Sequence, residues 1–172
     1  MKNTLQSLLV IAFISFVWTT AIAQESVTVQ SAEMVDYGIY KIELTGDHVP
    51  VASTGAGAVQ PAYRAVLVTT TNQIPSTIGN CFGFQFILHG TPDGALADVI
   101  IKVNHPAFRK PDGSVSGNSD AVPWRYRIGE KVGYTYTLDH DWEAVPGKWS
   151  IEIWRGKERL VGKEFVVKAA DK

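Results

Sequence analysis

The sequence predicts an all-β fold, an antiparallel β-sandwich of immunoglobulin-like type with seven to eight strands. Runs rich in Val, Ile, Thr, Tyr and Phe alternate with polar residues at a period of two, as half-buried strands do. After residue 24 no helical periodicity is found, so neither crossover helices nor a parallel sheet is expected. Gly, Pro, Asn and Asp separate the runs at turns, which favours a sandwich of short connections over a closed barrel.

The first strand or pair of strands falls in residues 27–44. Later strands are predicted at 63–71, 81–89, 96–104, 131–139, 148–155 and 159–168. Gly156-Lys157-Glu158 joins the last two as the best hairpin candidate. Two stretches rich in Gly, Pro, Ser and Asp, 45–60 and 105–123, are predicted to be long loops.

The first strand changes parity along its length. Tyr40, Ile42 and Leu44 share one face, whereas Val35 and Tyr37 fall on the other. A bulge at Gly38 would bring all of them to a common face, because glycine tolerates the positive φ that an extra residue often needs. The sequence therefore predicts a bulge at this glycine.

The N-terminus has the features of a cleavable signal peptide, residues 1–23, which precedes a single β-sandwich domain at 24–172. Lys2 supplies a basic start, residues 8–18 form an apolar run able to become helical in a membrane, and Ala21-Ile22-Ala23 is a cleavage site. A retained anchor is disfavoured, because eleven residues cover about half of a ~30 Å hydrocarbon core. Cleavage between Ala23 and Gln24 is predicted, with no stable membrane anchor afterwards and a periplasmic or secreted product.

Composition narrows the possible partners. Of the 16 basic and 17 acidic residues, only Lys2 precedes the predicted cut, which leaves a net charge near −2 (15 − 17). This balance gives no electrostatic reason to expect nucleic acid as a partner. The single cysteine, Cys81, cannot form an internal disulfide and is interpreted as a small buried residue beside two phenylalanines.

The most polar short segment is 139–143, which contains three carboxylates and His140. It is either a metal site or a solvated junction after a strand. No second cluster with metal-ligand spacing accompanies it, and His48, His89 and His105 are scattered singly, so the junction is favoured. No metal and no cofactor is therefore expected, and no nucleophile motif or phosphate-binding loop is found.

The aromatic residues offer a binding surface as another candidate site. In residues 148–155, Trp149 shares a face with Ile151 and Ile153, whereas Trp154 shares the polar face with a serine and a glutamate. Trp154 could stack a sugar or anchor a protein, and Trp142, Trp124 and Tyr126 could extend that surface. The alternative is that these rings are packed inside the domain.

Two longer segments and three short ones carry a family resemblance. The long segments are VDYGIY at 35–40 and WEAVPGKWSIEIW at 142–154; the short ones fall in 78–84, 90–94 and 105–106. Together they resemble a bacterial domain-of-unknown-function family of small exported proteins, over about 33–167. The resemblance implies a secreted β-domain and carries no assigned activity. In physical terms Pro146-Gly147 is a turn signal, across which Trp142 and Trp149 are expected to pack on each other.

These observations favour a non-catalytic binding module whose partner is an envelope protein or a glycan. One alternative is a hydrolase that uses loop residues, with His105 and the segment 139–143 as first candidates. Another is a carbohydrate-binding module that uses exposed tryptophan. The hydrolase requires its histidine and carboxylates to meet in a cleft, whereas the carbohydrate-binding module requires exposed tryptophan, so the tertiary structure can distinguish these two alternatives.

Overall fold

The computed structural model describes residues 26–44, 49–50, 58–59 and 62–169. The predicted signal peptide, its cleavage site and most of the predicted loop 45–60 lie outside these ranges. The strands, in chain order, are β1 Thr28–Leu44, β2 Val49–Pro50, β3 Ala58–Val59, β4 Ala62–Thr69, β5 Gln73–Pro75, β6 Cys81–Thr91, β7 Leu96–Asn104, β8 Ser119–Arg127, β9 Lys131–Thr137, β10 Gly147–Arg155 and β11 Glu158–Lys168.

Two sheets make up the body of the domain. One has the strand order β4-β1-β6-β9, the other has the order β5-β11-β10-β7-β8, and β2 pairs separately with β3. Every pairing between two of these strands is antiparallel except that of β5 with β11. The predicted all-β antiparallel sandwich is confirmed. Within the described ranges, no helix has the length and apolar character that crossing a bilayer requires.

The core lies between the two sheets and follows from strand alternation. Alternate residues of β6, from Phe82 to Leu88, are fully buried and pack with the inward residues of β7 and β10. Trp149 lies in the same cluster and is 1% exposed. The predicted hairpin of β10 and β11 is present, and Gly156 in its turn has a φ of 58°.

The sequence analysis predicts no strand between residues 104 and 131, so it missed β8 entirely. Residues 119–123 were assigned to a loop because they contain Ser, Asp and Pro, yet they begin β8. β8 is an edge strand of its sheet, where a proline such as Pro123 can be accommodated without breaking a ladder on both sides. β5, three residues long, was also not predicted, and the two large sheets contain nine strands among the described residues.

The predicted bulge at Gly38 was misplaced. The register shifts lie on either side of it, between Met34 and Asp36 against β6 and between Ile39 and Tyr40 against β4. Tyr37 therefore packs toward the core. Tyr40 lies opposite Cys81, and Tyr40 and Cys81 are both buried outside the core cluster. No extra residue separates Tyr37 from Tyr40 in the pairing with β6, so their odd spacing leaves them on opposite faces.

β1 bends sharply at the point where its pairing changes from β6 to β4. Asp36 is opposite Gln85 of β6, and Ile42 is opposite Ala65 of β4, which in a straight strand would separate the two sites by about 20 Å. Instead, Gln85 Nε2 donates a hydrogen bond to the Ala65 carbonyl at 3.2 Å. Gly38, with a φ of 146°, lies in this bend, and a Cβ there would collide with the Thr69 carbonyl oxygen.

Cys81 is buried although it lies on the face away from the core, and its neighbours across the sheet are Tyr40 on β1 and Thr137 on β9. Tyr40 donates its hydroxyl hydrogen to Asp36 on that face. Burial raises the pKa of the Cys81 thiol. The interpretation of Cys81 as a buried residue is thus confirmed, and the VDYGIY segment forms a structural bend.

Candidate functional site

Trp154 lies on the outer face of the five-stranded sheet, in its central strand β10. Its register partners are Arg159 on β11 and Ile100 on β7, and Ile100 in turn lies opposite Pro123 on β8. Ile100 is 36% exposed, which is high for a large apolar side chain in a paired strand. A row of Arg, Trp, Ile and Pro therefore crosses four strands on one surface, here called the Trp154 face.

A charged row lies next to this apolar row and fixes the Trp154 ring. The indole Nε1–H donates to Glu152 Oε2 at 2.8 Å, and Lys102 Nζ lies 4.0 Å from the ring centroid. Arg159 Nη1 lies 3.5 Å from the other oxygen of Glu152. The ring is partly exposed, and its orientation is held by a hydrogen bond and a cation–π contact.

The other aromatic residues proposed to extend this surface do not lie on it. Trp124 is opposite the buried Val99 and packs against the core, and Tyr126 is 7% exposed with its ring 5.1 Å from that of Phe86. Burial raises the pKa of the Tyr126 hydroxyl. Both rings face inward because they share the parity of Val122 on β8. Trp154 is the single aromatic side chain that the described strands place on this face.

His140, Trp142 and His105 are linked at one end of the sandwich by a series of ring contacts, here called the ring series. His140 stacks on Trp142 with centroids 5.0 Å apart, and Trp142 contacts the edge of Phe108 at 5.8 Å. Phe108 stacks on His105 at 4.2 Å, and His105 lies 5.3 Å from Trp149. Trp142 and Trp149 were expected to touch; instead Phe108 lies between them and contacts both.

Trp154 takes no part in this series. It follows Trp149 by five residues in an extended strand, which is about 17 Å, and its side chain points to the opposite face. The sequence-predicted candidates thus divide into two places, with His105, His140 and Trp142 at the end of the sandwich and Trp154 on the sheet.

His105 has a carboxylate partner, but the pair is enclosed. Its Nε2 lies 3.5 Å from Asp120 Oδ2, and the two side chains are 0% and 7% exposed. Nδ1 lies 2.8 Å from the Pro106 carbonyl oxygen. A hydrolytic histidine has to reach substrate, and this ring is covered by Phe108 on one side and flanked by Trp149.

The segment 139–143 is a junction with one buried member. Asp139, His140 and Asp141 are exposed, whereas Glu143 is 1% exposed and its Oε2 accepts hydrogen bonds from the backbone N–H groups of Asp139 and His140 at 2.9 and 3.2 Å. Glu143 therefore closes the turn after β9. Among the described residues, no group of three His, Cys, Asp or Glu side chains is arranged to hold a metal.

We expect Glu143 to give the stability of the protein a defined pH dependence. Burial, the main cause, raises the pKa of its carboxyl, so the folded state favours the protonated form more than the unfolded state does. The free energy of unfolding should therefore fall as pH rises from the ordinary pKa of glutamate through the raised value. Urea titrations at pH 4 to 8 should show a steeper fall in the wild-type protein than in Glu143→Gln.

The control for this measurement is Glu164→Gln, which changes an exposed glutamate of β11. This variant should keep the wild-type pH profile. A wild-type protein that gained stability relative to Glu143→Gln as the pH rose would contradict the assigned direction.

Two residues at this end of the sandwich were missed by sequence reasoning. Phe108 and Asp120 both fall in the stretch 105–123, which was assigned to a polar loop. The one available signal was an isolated phenylalanine in that stretch, since an aromatic side chain in a polar loop is usually packed against something. Asp120 had no such signal.

Two packed sheets with this strand pattern define an immunoglobulin-like β-sandwich. An immunoglobulin-like protein from Pseudomonas aeruginosa has a similar solved structure, with a TM-score of 0.58 and 20% sequence identity. The match covers 85% of this chain and 99% of that protein, and at such identity it shows the fold alone. The alkylpurine DNA glycosylase AlkC of Pseudomonas fluorescens, bound to DNA with an abasic-site analogue, matches 57% of this chain and 28% of its own. The TM-score of 0.36, at 18% identity, is too low to show a shared fold.

The chain belongs to the family described as domain of unknown function DUF3859, which matches residues 28–167. The resemblance stated from the sequence motifs over about 33–167 is thereby confirmed. No curated protein matches the chain.

Proposed function

We propose that this protein is an exported, non-catalytic recognition domain that binds a protein of the cell envelope through the Trp154 face. The observation that carries the proposal is the partly exposed Trp154, held by Glu152 and Lys102 at the centre of a five-stranded sheet. Tryptophan and arginine are the residues that most often dominate binding energy in protein interfaces. A ring whose orientation is set in advance loses less entropy when a partner binds.

The surroundings of Trp154 favour a protein over a glycan. Ile100 and Pro123 continue the apolar row on one side, and Arg159 ends it on the other. The charged row and a hydroxyl–amide pair, Asn104 with Ser150 at 2.8 Å, supply a polar rim. A carbohydrate platform usually needs several coplanar rings, and Trp124 and Tyr126 face the core instead.

The enclosure of His105 supports a non-catalytic role. A histidine near a carboxylate was the arrangement that the hydrolase hypothesis required, and this chain has it. Both side chains are buried, and the His105 ring packs against Phe108 and Trp149, so substrate could reach the pair only if the end of the sandwich opened. The pair is therefore interpreted as part of the domain's interior.

Site-specific photo-crosslinking in the native envelope tests the proposed face. A photoreactive residue at position 100 should capture a defined protein, whereas one at Val68, which is 64% exposed on β4 of the other sheet, should not. The captured protein, once purified, should bind the wild-type domain and lose about tenfold or more in affinity with Trp154→Ala and with Arg159→Ala. Val68→Ala is the matched control and should bind normally.

Three results would overturn this proposal. Equal capture from positions 100 and 68 would argue against a defined face. Unchanged affinity of Trp154→Ala would remove the tryptophan from the interface. Binding to an isolated envelope glycan, lost in Trp154→Ala with no protein captured, would replace the protein partner with a carbohydrate.

The export part of the proposal has its own test. Because residues 1–23 have the basic start, apolar run and small-residue site of a signal peptide, the protein recovered from the envelope or the medium should begin at Gln24. N-terminal sequencing measures this directly. Ala23→Leu should slow processing, since the peptidase site requires a small side chain, and a protein that retains Met1 would contradict the proposal.

A further inference from the structure

The enclosed pair of His105 and Asp120 presents an unusual hydrogen-bonding problem. His105 Nε2 and Asp120 Oδ2 lie 3.5 Å apart, and neither atom has a hydrogen-bond partner among the described residues. Buried polar atoms are nearly always hydrogen-bonded, because an unpaired buried atom has lost the hydrogen bonds that it makes with water in the unfolded chain. An arrangement that repeats this loss on two facing atoms needs an explanation.

The other ring nitrogen fixes the position of the histidine hydrogen. Nδ1 lies 2.8 Å from the carbonyl oxygen of Pro106, and a carbonyl oxygen can only accept a hydrogen bond. Nδ1 must therefore carry the hydrogen. In a neutral imidazole Nε2 then has a lone pair, and this lone pair would face the lone pairs of an ionised Asp120 carboxylate.

We propose that His105 and Asp120 hold one proton between them in the folded protein, and that this proton fastens the segment 105–118 to the body of the sandwich. With the proton on Nε2 the pair is an imidazolium and a carboxylate, and with the proton on Oδ2 it is an imidazole and a carboxylic acid. Either form places a hydrogen between the two atoms. Without the proton, two acceptors face each other in a buried site.

The fastened segment contributes His105 and Phe108 to the ring series. The His105 N–H donates to the Asn118 carbonyl at 3.0 Å, and the His105 ring stacks on Phe108, which contacts Trp142. Phe108 N–H donates to Ser116 Oγ at 2.8 Å, which closes the loop. Loss of the shared proton would loosen His105 and, with it, the packing of Phe108 and Trp142.

Among the described titratable groups, Tyr134 and Tyr136 on β9 interact electrostatically with Asp120, and Glu143 after β9 acts in turn on Tyr136. Burial raises the pKa of both tyrosine hydroxyls, and the charge of Asp120 raises each of them further. Neither tyrosine therefore releases a proton to the pair near neutral pH. Burial also raises the pKa of Glu143, whose Oε2 is occupied by two backbone N–H groups.

Nitrogen-15 NMR of the histidine-labelled protein at pH about 8 tests the proposal directly. A free imidazole is mostly neutral at that pH, which gives the reference pattern for a neutral ring. His105 should instead give either the imidazolium pattern or an Nε2 shift typical of an acceptor bonded to an acid. A neutral Nδ1–H ring beside an ionised Asp120, read from the carboxyl carbon shift, would overturn the proposal.

Asp120→Asn supplies a second, independent test. The asparagine amide can donate a hydrogen bond to the neutral Nε2, so the pair no longer needs a proton. In the wild type the folded state binds one proton more than the unfolded state above neutral pH, and its folding equilibrium constant should drop by up to about tenfold per pH unit as pH rises. Asp120→Asn should lack this component of the pH dependence.

The exposed pair of His89 and Glu33, 3.2 Å apart, provides the matched control. Glu33→Gln should leave the pH profile of stability unchanged, because both side chains are exposed to water. An Asp120→Asn protein that keeps the full wild-type pH dependence would contradict the shared proton. If Asp120→Asn does not fold, the NMR measurement on the wild-type protein decides the question.

Discussion

Replacing Trp149 with alanine is expected to lower the free energy of unfolding by about 3–5 kcal/mol, the range measured for large aromatic side chains removed from cores. The Trp149 ring is 1% exposed and lies 5.0 Å from Tyr136 and 5.6 Å from Phe82. It also contacts His105 and Phe108, so its removal leaves a cavity where the two sheets and the end loops meet. Urea denaturation followed by circular dichroism measures this loss.

Trp154→Ala is the matched control, since it removes the same side chain from the same strand on the opposite face. Trp154 is only partly buried and makes one cation–π contact and one hydrogen bond, so its loss should cost about 1 kcal/mol. Equal destabilisation by the two substitutions would mean that Trp154 is a second core residue and not part of a binding face.

Gly147→Ala is expected to destabilise the protein by about 2 kcal/mol through a steric conflict and backbone strain. Gly147 has a φ of 149°, and a Cβ at this position would lie 2.8 Å from Pro106 Cγ. Gly147 at the start of β10 therefore lies close to Pro106 in the segment that follows β7. The Pro146-Gly147 turn and the His105-Pro106 motif, which are far apart in sequence, pack against each other here. Thermal and urea unfolding of the variant measure the loss.

Two further variants separate the steric part from the backbone part. Gly113 has a φ of 84° and open space where a Cβ would lie. Gly113→Ala should therefore lower the free energy of unfolding only through backbone strain, by about 1 kcal/mol. In a Pro106→Ala background, Gly147→Ala should cost less, because the clashing Cγ is gone. A double-mutant cycle without coupling between residues 106 and 147 would contradict the proposed contact.

The alternation of β10 was predictable because it is a geometric property of any extended strand. Successive side chains of a strand point to opposite faces, so the order Trp149, Ser150, Ile151 already separated a core ring from a surface ring at Trp154. The same rule failed at β1, where a register shift after Met34 changed the parity. No local signal showed whether the bulge would fall at residue 35 or at Gly38.

The end of the sandwich was beyond sequence reasoning. His105 and Asp120 are separated by a loop whose path is set by contacts with other elements, including the stacking of Phe108 and its edge contact with Trp142. Glu143 looked like one of several solvated acids, and its burial depends on the turn that it closes. Neighbours brought together by loops are not encoded in any local period.

The sequence by itself determined the all-β class, the family and the two faces of β10, because these depend on strand periodicity and on motifs read residue by residue. The tertiary structure decided which rings share a surface. It placed Tyr126 in the core and Trp124 against it, left Trp154 on the outer sheet face, and enclosed His105 with Asp120. The physical reason is that strand register and loop path are fixed by packing between the sheets, which couples residues that are distant along the chain.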